Sequence, residues 1–92
     1  MIIGKVIGNI WATRKEESLN GFKFLAVQSI DYFSKKAGET VIAVDNVGAG
    51  IGETVLVVTG SSARKAVGSI DIPIDATIVA IVDEKEMDIE GD

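Results

Sequence analysis

The chain contains neither cysteine nor histidine. Disulfides, thiolate chemistry and the usual zinc sites are therefore excluded. Neither a Ser-His-Asp nor a Cys-His device can be assembled. General acid–base work near neutral pH would fall to a carboxylate or a lysine with a displaced pKa. Missing cysteine is compatible with a reducing cytosol without proving one. Aromatic residues are scarce: one tryptophan, one tyrosine and three phenylalanines. No apolar run approaches the ~20 residues of a membrane span. The opening MIIGKVIGNIWATRK lacks the basic segment, apolar core and cleavage site of a secretory signal. The expectation is a soluble intracellular protein without a membrane partner.

What is present fits one small domain. The 92 residues are nearly half apolar, which is a globular composition and not a disordered one. Net charge is −5, unevenly placed. The segment EKEMDIEGD, residues 84–92, holds five acids and one lysine, leaving nine acids against eight bases in residues 1–83. The acidity thus belongs mostly to a solvated tail, and the expected division is a β-barrel domain over 1–83 followed by that tail. A near-neutral body lacks the basic stripe that phosphate-backbone binding requires, so nucleic acid is not expected as a partner.

Along the chain, residues 2–12 read as a strand interrupted at Gly4, Gly8 and Asn9, which points to a bulge or sharp curvature. Residues 22–30 form a second strand, 31–39 a hairpin loop, and 40–47 a third strand. Residues 54–59, TVLVVT, form a fourth strand, 61–67 a short helical turn with serine favoured at its start, and 76–83 a last strand. Short strands, glycine turns and little helix indicate a small all-β barrel. Both faces of the last two strands are apolar: Val55 and Val57 oppose Leu56 and Val58, and Ile78 and Val82 oppose Val79 and Ile81. A barrel of this size has one interior, so the second face calls for a neighbouring subunit or for the chain's own loops.

The stretch DNVGAGIGE, residues 45–53, carries Gly48, Gly50 and Gly52 between two acids. A dinucleotide fingerprint needs G-x-G-x-x-G leading into a helix. Here the third glycine position is Glu53, and strand formers follow. A phosphate loop needs Gly-Lys-Ser/Thr, and the stretch has no lysine. A tight strand connection fits better, with a glycine at positive φ or in close backbone approach, and with Asp45 and Glu53 accepting backbone N–H bonds or facing a cation. Ser62-Ala-Arg-Lys65 matches the S-x-x-K pattern of serine acyl transfer, but the companion motifs are missing and the chain is too short. Asp71, Asp75 and Asp83 lack metal-loop spacing and read as turn and strand-end carboxylates. No catalytic, metal or cofactor constellation emerges. The alternative to a structural protein is an OB-like binding module for single strands or a small ligand, supported only by Lys23 between Phe22 and Phe24.

Taken in order, GKVIGNIWATRK, LNGFKFLAVQ, DNVGAGIGE, TVLVV, GSSAR (Gly60 to Arg64) and IDATIVAIVD resemble the pentameric vertex proteins of bacterial microcompartments. The resemblance covers about residues 2–83; loop 32–39 and the acidic tail fall outside the shared pattern. It implies a small OB-like β-barrel, five subunits about a fivefold axis, no catalysis and no cofactor. It implies a cytoplasmic location in a shell whose facets are hexameric and trimeric tiles, and a narrow axial pore. Under it the glycine stretch becomes a packing turn at a subunit contact. Arg64 becomes a candidate for a charge-assisted bond across that contact to Glu53, Asp75 or Asp83. Gly60, Ser61 and Ser62 become candidate pore residues, or else the serines cap the turn after Gly60.

Overall fold

The computed structural model describes residues 1–13, 15–69 and 71–87. Five strands, β1 (Ile2–Ile10), β2 (Phe24–Asp31), β3 (Lys36–Asp45), β4 (Thr54–Thr59) and β5 (Ala76–Val82), close into a barrel in the order β1-β2-β3-β5-β4. Every neighbouring pair is antiparallel except β3 and β5, which touch briefly in parallel through Val44–Thr77 and Asp45–Ile78. This is the all-β, OB-like barrel expected from the sequence. No described helix is long and apolar enough to cross a membrane.

The interior is built from small β-branched and aliphatic side chains. Val6, Leu25, Val27, Ala43, Ala49, Val55, Val57, Ala76 and Ile78 form one cluster, with Ile2 and Val41 packed against it. Small side chains suit a five-stranded barrel, whose lumen leaves little room. Gly4 marks the tightest approach to backbone: a Cβ there would stand 2.5 Å from the backbone oxygen of Gln28 on β2. The expected irregularity in β1 is present as a register shift between Val6 and Gly8, which leaves Ile7 as the extra residue.

Outside the barrel the described residues form one α-helix, α1 (Ser61–Ala66), packed on β4 and β5. It buries Ala63 over Thr77, whose hydroxyl donates to the Ala63 carbonyl at 2.9 Å. The expected serine cap is not used. Gly60 occupies the N-cap position at φ 64°, a conformation that favours glycine, and makes no side-chain cap bond.

Several element boundaries differ from the sequence reading: β2 runs Phe24–Asp31 and not 22–30, β3 runs Lys36–Asp45 and not 40–47, and α1 and β5 each end one residue early. β1 ends at Ile10, leaving Trp11 and Ala12 beyond the strand. The 31–39 loop is much shorter, because Asp31 already pairs with Lys36 and the reversal takes only residues 32–35. Its strand residues are exposed on both faces, so no apolar alternation announces them. The strict alternation of β5 also fails. Leu56 pairs with Ala80 and Val57 with Ile78, so Val79 is a bulge residue and Ile81 pairs with the core residue Val55. Both β4 and β5 nonetheless keep incompletely covered apolar side chains, among them Leu56, Val58, Val79 and Ile81.

Candidate functional site

The glycine stretch is an ordered connection between β3 and β4. Asp45, the last residue of β3, turns its carboxylate back into the loop. Oδ1 accepts the amides of Val47, Gly48 and Ala49 at 3.1, 3.0 and 3.1 Å. Its side chain is 3% exposed, and the Lys23 ammonium lies 3.9 Å from Oδ2. Lys23 also donates to the Ala49 carbonyl at 3.5 Å. Farther on, Glu53 Oε1 accepts the Gly50 amide at 2.7 Å. The loop is stitched to β1 by Val6 N to Glu53 O and Gly52 N to Val6 O, at 2.9 and 2.8 Å. Gly48 and Gly52 adopt φ of 82° and 91°.

These bonds decide what the loop can do. A phosphate cradle offers a row of free N–H groups to an anion. Here the row is already filled by the chain's own carboxylates: Asp45 takes three amides and Glu53 takes another. A second anion would meet two negative charges and no free donors among them. The result is a rigid turn that carries Ala49 into the core and leaves Ile51 exposed.

The other nominated residues gather less tightly. Gly60 and Asp75 meet through Gly60 N to Asp75 O at 2.9 Å. Ser61 and Ser62 are exposed on the first turn of α1. Arg64 Nη1 donates to the Ile74 carbonyl at 3.1 Å, and no ion pair joins it to Glu53, Asp75 or Asp83 within the described residues of one chain. Asp83 caps a 3-10 turn, Glu84–Glu86, by accepting the Lys85 amide at 2.9 Å. The start of the acidic segment therefore has its own contact: the Thr54 hydroxyl donates to Glu84 Oε1. Among the described residues no cluster of carboxylates could hold a metal ion.

Perturbed ionisation lies away from this region. The Glu16 carboxyl is held low first by the Ser18 hydroxyl and then by the Ser18 amide. Asp31 is held low first by the Ser34 side chain, then by the amides of Ser34 and Phe33. Both carboxylates are exposed turn caps, which is not the pattern of a catalytic acid in a cleft.

Sequence reasoning missed two exposed apolar surfaces. Trp11 is 89% exposed and borders a groove of about 400 Å³ with Ile10, Phe22 and Phe24, flanked by Lys15 and Lys23. At the opposite end of the β1–β2 ladder, Phe33 is 82% exposed beside a groove of about 680 Å³ that includes Ile3 and Ile30. The signal for the first is the lone tryptophan, which the strand reading of 2–12 includes and the structure leaves beyond β1.

Comparison with known proteins gives a consistent result. A family described as ethanolamine utilisation protein EutN/carboxysome matches residues 1–83. The bacterial microcompartment shell vertex protein GrpN of Rhodospirillum rubrum is 48% identical over 86 residues, covering 94% of this chain and 97% of GrpN. The carboxysome shell vertex protein CcmL of Gloeobacter violaceus is 41% identical over 88 residues, covering 96% of this chain and 88% of its own. The solved GrpN pentameric microcompartment shell protein from Rhodospirillum rubrum superposes with a TM-score of 0.77 at 48% identity, covering 90% of this chain and 94% of that one.

Proposed function

The chain belongs to the EutN/carboxysome family of microcompartment shell vertex proteins, and on that premise we propose that it forms the pentamer closing the vertices of such a shell. It is a structural shell protein located in the cytoplasm as part of a microcompartment. The observation that carries this reading is its 48% identity, over nearly the whole length of both chains, to a pentameric vertex protein.

The physical features of the single chain support the assignment. Ile7, Ile42, Ile51 and Ile81 stand exposed on a small barrel whose interior is already filled. Apolar surface of this kind is costly to leave in water. A cyclic ring covers it with one heterologous contact repeated until it closes. The glycine turn is rigid enough to serve as part of such a contact, and Ile51 gives it an apolar tip. Arg64 retains guanidinium donors beyond its bond to Ile74, which suits a carboxylate of the next subunit, Glu53, Asp75 or Asp83. Ser61 and Ser62 present small hydroxyls that suit the wall of an axial pore. The ring acts without catalysis and sits among hexameric and trimeric tiles.

Native mass spectrometry of the purified chain over a range of concentrations tests the reading. A five-subunit species is expected. A persistent monomer would overturn it and make salt-dependent binding of single strands the next measurement. For Arg64, the Arg64→Ala chain is expected to shift toward smaller species at low concentration. A variant that assembles and melts like the parent would remove Arg64 from the contact.

A further inference from the structure

We propose that the groove beside Trp11 receives the acidic C-terminal segment of a neighbouring copy of the chain. The inference rests on the ring described above and adds a second contact to it.

The groove has a definite chemistry. Its floor is Ile10, Trp11, Phe22 and Phe24, and its charged lining is Lys15 and Lys23, with no carboxylate. Lys23 already faces Asp45 and the Ala49 carbonyl. Lys15 has no hydrogen-bond or ion-pair partner among the described residues. An apolar floor beside an unneutralised ammonium selects a segment in which carboxylates alternate with apolar side chains.

One stretch of this chain has that composition. In EKEMDIEGD, Met87 and Ile89 alternate with Glu86, Asp88 and Glu90, and residues 84–92 carry a net charge of −4. In an extended backbone the two apolar side chains share one face and the acids the other. The remaining 83 residues are close to neutral, so no other segment offers comparable charge.

Reach places the donor on a neighbour. Glu84 is fixed against Thr54, which pairs with Lys5. Trp11 lies six residues farther along β1 and past its end, about 20 Å from Lys5 at strand spacing. The 3-10 turn Glu84–Glu86 carries Met87 only about 6 Å from Glu84, and two further extended residues bring Ile89 to about 13 Å. Both apolar residues fall short in their own chain. A ring supplies a second copy at high effective concentration, and a groove on one subunit filled from another is the head-to-tail contact that cyclic symmetry repeats.

Trp11 is the sole tryptophan, so its emission reports the groove directly. The chain ending at Glu86 is compared with the full chain, both as assembled species by native mass. The truncated ring is expected to keep its mass, to emit to the red of the full-length ring, and to be quenched more readily by acrylamide. A synthetic peptide of residues 84–92 is then expected to restore the blue emission saturably. Binding should weaken by about fivefold in Lys15→Glu, an exposed charge reversal, and should weaken further in high salt. Should truncation disrupt the ring, Lys15→Glu in the full-length ring gives a smaller red shift in the same direction, which high salt increases. Unchanged emission in a pentameric truncated ring, with no response to the peptide, overturns this inference and leaves the vertex reading intact. A full chain that never forms pentamers overturns the vertex reading itself. Blue emission that persists in a full-length chain diluted to monomer overturns the placement on a neighbour.

Discussion

Residues 45–53 and residues 31–36 reverse the chain by the same local device, yet they sit in opposite environments. In each, an aspartate ends a strand, and its carboxylate takes the amides two and three residues on. For Asp45 these are Val47 and Gly48, and for Asp31 they are Phe33 and Ser34. Asp45 is then buried, receives a third amide and faces a lysine. Asp31 stays in water at the tip of an exposed hairpin. The hydrogen-bond pattern is nearly shared; what differs is the consequence of losing it. An amide stripped of its acceptor at a buried position, as at Ala49, finds no replacement, whereas those at exposed positions, Phe33 and Ser34 in one turn and Val47 and Gly48 in the other, are taken up by water.

The largest effect should therefore come from Asp45→Ala. It orphans the buried amide of Ala49, hands those of Val47 and Gly48 to water, and removes the carboxylate facing Lys23. A loss of about 3 kcal/mol is expected, read as a lower urea midpoint with an unchanged slope. A midpoint within error of the parent would mean that the backbone bonds to Val6 hold the loop without the carboxylate.

The next contrast is between two glycines. Gly4→Ala places a methyl group 2.5 Å from the Gln28 backbone oxygen, with Val27 Cγ1 at 2.8 Å, inside the β1–β2 ladder. The strand must move, and a cost of about 2 kcal/mol follows. Gly38→Ala on the exposed hairpin meets only the Ser29 hydroxyl, the end of a side chain that can rotate away from Glu39 O. A cost under about 1 kcal/mol is expected, that of one surface hydrogen bond. Equal urea midpoints for the two variants would show that the β1–β2 ladder yields as easily as the hairpin.

The same contrast explains what could be read from the residues. Strand β4, Thr54–Thr59, was legible to the residue, because TVLVVT is β-branched and bounded by glycine turns. The residues leave two choices open in the glycine turn, amides or a cation for Asp45 and Glu53, and positive φ or close approach for Gly48, Gly50 or Gly52; the structure has amides on both carboxylates and positive φ at Gly48 and Gly52. The strand residues Lys36, Ala37, Gly38 and Glu39 read as part of the hairpin loop because they are exposed, and an exposed ladder imposes no apolar period. The Val79 bulge was invisible because Ile-Val-Ala-Ile-Val alternates equally well with or without an extra residue. Lys23 was noted between its phenylalanines, but its bond to Ala49 joins positions distant in sequence, and only the closed barrel brings them together.

The smallest effect is the titration of the exposed turn. The Ser34 side chain first, and the amides of Ser34 and Phe33 after it, stabilise the ionised Asp31 carboxyl and hold its pKa below the ordinary 3.8. A group depressed in the folded state contributes fully above the unfolded value and loses its contribution as pH falls through the folded one. The hairpin turn should thus be unaffected near neutral pH and loosen only in acid below 3.8, while the barrel ladder stays paired. NMR titration of the Asp31 carboxyl gives the midpoint, expected below 3.8, and Ser34→Ala should move it upward toward that value. A midpoint at or above 3.8 in the parent would mean that the Asp31 bonds do not persist in solution, so that the pairing of Asp31 with Lys36 is what fixes the reversal.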